Sequence, residues 1–320
     1  MKKVLVLGGT YFIGKYIAEN LVKDNFDVVV LNRGTKAGIF GDAVKEIHCD
    51  REDAEDIKQK LYGMIFDYVI DVSALNVLHV RNSYEALKNS YIKRYIFISS
   101  SAVYVPSNEI PISEDSEKGE NHYWGDYGID KLQAENFLLE KNKTGRFPVQ
   151  ILRPPYVYGE GNYVYREGFV FDRIINNKKV ILPNSGRTIV QFIHVEDLYN
   201  TIMALLKTEN GIGEAFNVGN THGITFRGWI EACSKACNKP VDITEFYYKH
   251  TDYGCRDFFP FHDYQYMLDT RKIEKYYTPK ISMIEGLKRA YDWYTQNKDL
   301  VNKKPHYAEN EEKIYGLLNY

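Results

Sequence analysis

The sequence predicts an α/β fold with a doubly wound parallel sheet and a smaller C-terminal domain, and two observations carry this prediction. Short apolar runs, typical of buried strands, alternate along the chain with longer segments whose apolar residues have helical spacing. In addition, the first apolar run, Val4–Leu7, ends in a glycine turn at Gly8-Gly9-Thr10 and leads directly into an amphipathic segment. A strand, a tight glycine turn and a helix in this order are typical of the first unit of a Rossmann-type sheet.

The alternation continues through the first hundred residues. A helix is predicted over 15–24, and the next strand follows at Phe26–Leu31. Further strands are predicted at Val44–His48, Phe66–Val72 and Tyr95–Ile98, with helices over 53–61 and 77–90. Because the carboxyl ends of parallel strands share one edge of the sheet, we expect the functional residues to lie at that edge.

The composition excludes several classes of protein. The chain has 41 Lys and Arg against 43 Asp and Glu, so it lacks the positive field of a dedicated nucleic-acid-binding protein. The apolar run that follows Lys2-Lys3 is too short for a signal peptide or a membrane span. The four cysteines show no CxxC spacing, and the histidines show no metal-ligand spacing. These features predict a cytoplasmic protein with no metal site and no membrane partner.

The glycine turn is a candidate binding site for the pyrophosphate of a dinucleotide. Backbone N–H groups and the positive end of a helix dipole meet at such a turn, and a phosphate can bind there. The residues concerned are Gly8, Thr10, Tyr11, Phe12, Ile13 and Gly14. Aligned on Gly8 and Gly14, the GxxGxxG pattern requires glycine at position 11, where this chain has Tyr11. A bulky residue there predicts altered phosphate contacts, and a simple strand-to-helix connection is the alternative.

Residues after the later strands complete the candidate cofactor site. The second strand ends in Asn32-Arg33-Gly34, where NAD-binding proteins usually have an acidic residue. Arg33 can pair with a 2′-phosphate, which favours NADP over NAD; a solvated turn arginine is the alternative. Asp50 is placed to accept a hydrogen bond from adenine, and Ala74 to lie against a ribose. A surface loop residue and a packed turn residue are their alternatives.

A candidate for proton transfer lies further along the chain. Tyr127 and Lys131 are four residues apart at the start of a predicted helix, so both lie on one helix face. An ammonium beside the phenol would lower the pKa of the phenol, as proton exchange with a carbinol near neutral pH requires. Taken alone, a YxxxK pattern also fits an ordinary surface pair.

Several ordered motifs together make the sequence similar to the extended short-chain dehydrogenase/reductase family, which includes NAD-dependent epimerases and dehydratases. After the glycine turn come a serine cluster at 99–101, the YxxxK pattern, RPPYVYG at 153–159, QFIHVEDL at 191–198 and FNVG at 216–219. The resemblance implies that Tyr127 is the general acid/base and that Lys131 is its electrostatic partner and a ribose contact. Ser100 would hydrogen-bond the substrate oxygen, with Ser101 as the competing register. The resemblance also places Pro154 and Tyr156 near the nicotinamide.

The resemblance implies an oxidoreductase or epimerase that acts on a hydroxyl or keto group of a sugar or nucleotide-sugar. Two departures refine this expectation. The family's 4,6-dehydratases follow the catalytic residue with Asp-Glu, whereas Ser100 is followed by Ser101 and Ala102, which disfavours dehydration. Many nucleotide-sugar enzymes of the family bind the substrate diphosphate with an arginine where this chain has Val190; Arg187 is a possible substitute.

A second resemblance indicates an alternative function. GGTxFIG in the first turn, Asn32-Arg33-Gly34, and FPFHD at 259–263 are similar to the chloroplast stem-loop RNA-binding proteins, an atypical branch of the same superfamily. This resemblance implies RNA binding on a reused fold, and eight aromatic residues between 246 and 266 would supply stacking surfaces. Core packing is the alternative for that aromatic run. A cofactor-binding scaffold without turnover is the third candidate.

The predicted domains follow the change in pattern along the chain. Residues 1–160 form the dinucleotide-binding domain, to which 188–221 return, while 161–187 and 222–296 form the substrate domain. Residues 297–320 are predicted to be a polar, extended C-terminal tail. Family analogy and the frequency of two-fold assemblies favour a homodimer.

Overall fold

Seven parallel strands form the central sheet of this computed structural model, which describes residues 1–36, 38–145 and 147–318. In spatial order the strands are β11 (Glu214–Asn217), β6 (Val149–Arg153), β5 (Arg94–Ile98), β4 (Tyr68–Asp71), β1 (Lys3–Leu7), β2 (Asp27–Asn32) and β3 (Lys45–His48). Every neighbouring pair is parallel. Strand order reverses between β1 and β4, which is the position where doubly wound sheets bind ligands.

Helices cover both faces of this sheet. One face carries α1 (Phe12–Lys23) and α6 (Val195–Leu205), and the other carries α2 (Ala54–Leu61), α3 (Val77–Leu87) and α4 (Asp126–Lys143). The five inner strands are buried on both faces, and for this reason they appear in the sequence as nearly continuous apolar runs, whereas the edge strands β3 and β11 are partly exposed. The predicted Rossmann-type α/β fold is confirmed, and the predicted strands and helices match the observed ones to within a few residues.

The remaining elements pack around a separate hydrophobic cluster that includes Trp229, Phe192 and Phe261. Its helices are α5 (Glu167–Ile175), α7 (Phe226–Cys237), α9 (Met283–Gln296) and α10 (Pro305–Leu317), whereas α8 (Arg271–Glu274) packs its Ile273 into the cluster on the central sheet. Its strands form three pairs: β7 (Tyr156–Tyr158) with β10 (Phe192–His194), β8 (Val180–Pro183) with β13 (Ile243–Phe246), and β9 (Ile189–Val190) with β12 (Ile224–Thr225). The domain boundaries given above stay a prediction. No helix in the described ranges combines the length and apolarity needed to cross a membrane.

The aromatic run between 246 and 266 belongs largely to this second cluster. Phe258, Phe259, Phe261 and Tyr266 are buried, whereas Tyr247 is exposed. Phe261 contacts Trp229 edge to face, with ring centroids 4.7 Å apart. Core packing therefore accounts for most of these rings.

The prediction of an extended tail over residues 297–320 is wrong. Within it, α10 begins at Pro305 and packs Tyr307 and Ile314 into the second hydrophobic cluster. Glu311 adds a buried ion pair, because its Oε1 accepts a hydrogen bond from Arg173 Nε at 2.8 Å. The apolar residues are seven positions apart on one helix face, and this sparse stripe is hard to see in a polar sequence.

The buried face of α10 generates a stability prediction. We expect Ile314→Ala to lower the free energy of unfolding by about 2–5 kcal/mol, because it opens a cavity in the core. Leu317→Ala, on the same helix but 59% exposed, is the matched control and should change this value by less than about 0.5 kcal/mol. Urea unfolding monitored by circular dichroism measures both variants. Equal stability of the two variants would contradict the packed helix.

Candidate cofactor and catalytic site

A cleft of about 710 Å³ opens at the carboxyl edge of the central sheet, where the strand order reverses. It brings together most of the residues singled out in the sequence: Gly8, Thr10, Tyr11, Phe12, Ile13, Asn32, Arg33, Asp50, Ser100, Ser101, Tyr127, Lys131, Pro154 and Tyr156. Gly14 and Ala74 do not line the cleft. Gly14 lies beneath the turn, and Ala74 is fully buried next to Ser73, which does line it.

The glycine turn is tight because two of its glycines have no room for a side chain. Gly8 has φ +90°, a conformation that favours glycine. A Cβ on Gly14 would lie 2.0 Å from the carbonyl oxygen of Gly8, so α1 starts close against the end of β1. This arrangement directs the N-terminus of α1 at the cleft.

Tyr11 occupies the middle glycine position of the pattern, and its own backbone is unstrained. Its backbone is extended, with φ −132°, so any residue fits there. Its ring packs against Tyr163 with centroids 5.4 Å apart, and the Lys36 ammonium lies 4.3 Å from the ring centre. The sequence departure therefore changes the wall of the cleft, while the unusual backbone of the turn lies one residue later, at Phe12, where φ is +31°.

Other residues present in this half of the cleft also fit a nicotinamide dinucleotide. The buried Asn32 amide nitrogen has no hydrogen-bond partner in the structure, while its oxygen accepts from Gly34 N at 2.6 Å. A ribose hydroxyl would satisfy that nitrogen. Arg33 is exposed and forms no ion pair with any described residue. Asp50 is exposed at the cleft edge and accepts a hydrogen bond from Glu52 N at 3.0 Å.

Arg51 forms part of the cleft floor and was missed by sequence reasoning. Its guanidinium makes a bidentate pair with Asp71, at 2.8 and 2.7 Å, and Tyr95 donates to the same carboxylate at 2.6 Å. Burial opposes ionisation of Asp71, but the Arg51 charge outweighs it and lowers the pKa of that carboxyl. Asp71 in turn accepts from Ala74 N at 3.0 Å and holds the turn after β4. Nothing in the sequence distinguishes Arg51 from a solvated loop residue.

The serine cluster places Ser100 at the cleft. Ser100 is partly accessible, and its Oγ accepts a hydrogen bond from Ala102 N at 3.1 Å. Ser101 is 8% exposed, and its backbone N–H donates to the Pro154 carbonyl at 3.0 Å. Ser100 is therefore the more accessible of the two hydroxyls.

Lys131 is tied to the backbone. Its Nζ donates to the carbonyl oxygens of Ala74 at 2.6 Å and Ile98 at 2.8 Å, which joins α4 to the ends of β4 and β5. Burial lowers the pKa of Lys131 to about 8. The expected effect of Lys131 on the phenol is not observed, because the ammonium is held by these carbonyls.

The expected lowering of the Tyr127 pKa is wrong. Tyr127 is 36% exposed as a whole, but desolvation of its hydroxyl by the surrounding protein groups favours the neutral phenol and raises its pKa, although the Ser100 hydroxyl and the Arg166 charge partly oppose this effect. Tyr127 is therefore a protonated phenol at neutral pH. Arg166 is the cation whose charge opposes the rise in the Tyr127 pKa. No sequence motif identifies this residue.

A buried network fixes the framework behind these groups. Arg153 Nη2 donates to Glu135 Oε2 at 2.6 Å, which joins the end of β6 to the middle of α4. Ser99 donates to Glu135 Oε1 at 2.5 Å, so the residue next to Ser100 is held by the same carboxylate. Arg153 Nη1 also donates to the Tyr104 hydroxyl at 2.8 Å.

The described residues contain no group of His, Cys, Asp and Glu side chains arranged to hold a metal ion. All four cysteines are free thiols and buried in the structure.

Comparisons with known proteins identify the family and the fold. Residues 4–219 match the NAD dependent epimerase/dehydratase family. The chloroplast stem-loop binding protein of 41 kDa b from Arabidopsis thaliana is 30% identical over 309 residues, covering 91% of this chain and 79% of that protein. UDP-glucose 4-epimerase from Thermotoga maritima, solved with UDP-glucose, superposes with a TM-score of 0.79 at 19% identity, covering 92% of this chain and 99% of that one. For dTDP-glucose 4,6-dehydratase from Bacillus anthracis, solved with NAD, the TM-score is 0.79 at 19% identity, with 94% and 99% covered.

Two solved structures therefore share the fold, while the family match and the Arabidopsis relative extend the similarity to the sequence. The motifs at 153–159, 191–198 and 216–219, which the sequence analysis used, fall within the matched region. This chain belongs to the NAD-dependent epimerase/dehydratase family, within the extended short-chain dehydrogenases/reductases.

Proposed function

We propose that this protein catalyses NAD(P)-dependent oxidation and reduction at a carbinol or keto carbon of a sugar or nucleotide-sugar, as an epimerase or a reductase. The observation that carries the proposal is that Ser100, Tyr127 and Lys131 share one cleft with the tight glycine turn. The family description and the substrates named for the solved epimerase and dehydratase support the sugar class.

In the proposed mechanism each side chain has a separate role. Ser100 hydrogen-bonds the substrate oxygen, and Tyr127 transfers a proton to or from the same oxygen. Lys131, held by two carbonyls, has one further N–H to donate to a ribose hydroxyl. Bound nicotinamide would supply or accept the hydride. A neutral Tyr127 suits proton donation to a ketone, whereas carbinol oxidation requires the phenolate.

Dehydration is disfavoured in this proposal. Eliminating water requires an acid and a base beside the substrate, in addition to the residue that transfers the carbinol proton. The two positions after Ser100 carry Ser101 and Ala102, and both side chains are buried.

The cytoplasmic location and the homodimer also stay predictions.

RNA binding is the second candidate, and the name of the Arabidopsis relative favours it. Its expected stacking surface is mostly absent, because four of the eight aromatic residues are buried in the core and three more, Tyr248, Tyr253 and Tyr264, are partly buried against it. The redox function is therefore preferred. A mobility shift of structured RNA that weakens with rising salt, in a protein without turnover, would reverse that preference.

The prediction about proton transfer concerns Tyr127. We expect Tyr127→Phe to lower kcat by at least about a hundredfold, because the variant has no proton to transfer. Tyr62→Phe, at a side chain that is 86% exposed, should leave kcat unchanged. Reduced-nicotinamide absorbance and chromatography of UDP-glucose, UDP-galactose and dTDP-glucose measure turnover. Full activity of Tyr127→Phe would exclude the mechanism.

The same residue sets the pH dependence of oxidation. Since the Tyr127 pKa is raised, the phenolate forms only in the alkaline range, and kcat/KM for carbinol oxidation should increase as the pH rises from 7. Ketone reduction, which uses the neutral phenol, should lack this increase. An oxidation rate that falls from pH 7 upwards would contradict the assignment.

The prediction about cofactor choice concerns the 2′-phosphate of NADP. We propose that Arg33, exposed and without an ion pair among the described residues, binds the 2′-phosphate of NADP. Arg33→Gln should weaken NADPH binding about tenfold or more and leave NADH binding within about twofold. Fluorescence titration with both nucleotides measures the two affinities. Equal losses for both nucleotides would assign Arg33 a structural role.

A further inference from the structure

A second arginine in the cleft also has no counter-charge. Arg166 is the N-cap of α5 and lines the cleft. Its guanidinium lies 4.8 Å from the ring centre of Tyr156, and it forms no hydrogen bond or ion pair through its side chain with any residue that the structure describes. A partly buried guanidinium has lost some of its hydration, and a bound anion would compensate for that loss.

The neighbouring charged side chains in the cleft have other partners within the protein. Arg51 pairs with Asp71, and Glu52 lies 3.1 Å from the His79 imidazole. Glu167, next to Arg166 in sequence, is buried; its Oε1 accepts a hydrogen bond from the amide nitrogen of Asn162 at 2.9 Å, and its Oε2 has no hydrogen-bond partner among the described residues. Burial raises the pKa of the Glu167 carboxyl and favours its neutral form, although the Arg166 charge is among the effects that oppose this rise. The N–H groups of the Arg166 guanidinium therefore have no hydrogen-bond or ion-pair partner among the described residues.

Arg166 lies at the catalytic end of the cleft. Its contact, Tyr156, is 6.0 Å from Trp124 between ring centroids, and Trp124 is 6.0 Å from Tyr127. The positive charge of Arg166 partly opposes the rise in the Tyr127 pKa. It also contributes to the lowered pKa of His262, after the larger effects of burial and of the Arg256 charge. The glycine turn and Arg33, which would hold the phosphates of the cofactor, directly follow strands β1 and β2 of the sheet.

The position that binds the diphosphate in many relatives cannot do so here. Val190 replaces the arginine; it lies on β9, and its side chain is fully buried in the second hydrophobic cluster. A cation at the catalytic end instead suits an anionic group close to the reacting carbon. A guanidinium binds carboxylates and phosphates bidentately, which also fixes the orientation of the ring that carries them.

We propose that Arg166 binds a carboxylate or phosphate monoester carried by the substrate near its reacting carbinol. This inference rests on the proposed function for the location of the substrate. The aromatic side chains of Tyr156 and Trp124 would pack against the apolar face of the substrate ring, while Arg166 binds its acidic group. The substrate class is thus an acidic or phosphorylated sugar.

Binding to the cofactor-saturated full chain tests the proposal without requiring turnover. Isothermal titration at constant ionic strength compares UDP-glucuronate with UDP-glucose for the carboxylate, and glucose 6-phosphate with glucose for the phosphate. We expect the anionic member of at least one pair to bind about tenfold more tightly. Arg166→Met should abolish this preference, and Arg166→Lys should keep part of it because the charge remains. Arg166→Gln provides a second neutral variant if Arg166→Met does not fold.

Arg271→Met is the matched control, because Arg271 is an exposed arginine whose side chain is 84% accessible, and it should keep the full preference. The proposal is overturned if neither pair shows a preference, or if the preference survives in the folded neutral variants. It is also overturned if those variants lose cofactor affinity instead. Tyr127→Phe should keep the anion preference without turnover. Failure of turnover in the unmodified protein would therefore reject the redox function, while the anion site is judged by binding alone.

Discussion

The buried ion pair between Arg153 and Glu135 is the constraint on which the catalytic half of the cleft depends. It joins the last residue of β6 to the middle of α4, the helix that carries Tyr127 and Lys131. Both side chains are almost completely buried, so losing either partner would leave an uncompensated charge, at a cost of about 3–5 kcal/mol. Through Ser99 the same carboxylate holds the loop that presents Ser100. The Glu135 carboxylate thus fixes α4, the end of β6 and the loop that presents Ser100 relative to one another.

A second buried pair has the corresponding role in the cofactor half. Arg51 and Asp71 join the loop after β3 to the end of β4, and Asp71 holds the turn that contains Ala74. Lys131 binds the carbonyl of that same Ala74, and so the two halves meet at one turn. Lys131 is held by carbonyl groups, and Arg33 and Arg166 are the arginines of the cleft without ion pairs among the described residues. In our two proposals these arginines provide one anion site at each end of the cleft.

Tyr11 shows how a departure from a motif can leave the site intact. The middle glycine of the pattern matters when its backbone needs a positive φ or when a side chain would block the phosphates. Here the backbone at Tyr11 is extended, and the ring turns toward Tyr163 at the rim of the cleft. The strict steric demands are at Gly8 and Gly14, which the sequence retains. An atypical fingerprint is consequently compatible with a tight strand-to-helix turn, in which Phe12 rather than Tyr11 has a positive φ.

The sequence by itself determined the alternating strands and helices, the glycine turn and the set of motifs around Ser100, Tyr127 and Lys131. These features are local, since each depends on apolar period or on residues close together in the chain. The tertiary structure decided the environment of each group: Lys131 binds two carbonyls, Tyr127 remains a neutral phenol, and α10 packs against the second hydrophobic cluster. It also identified Arg51 and Arg166, whose significance depends on whether a partner from a distant segment lies nearby. Charge pairing and burial arise from contacts between distant segments, and for this reason no local pattern could have predicted them.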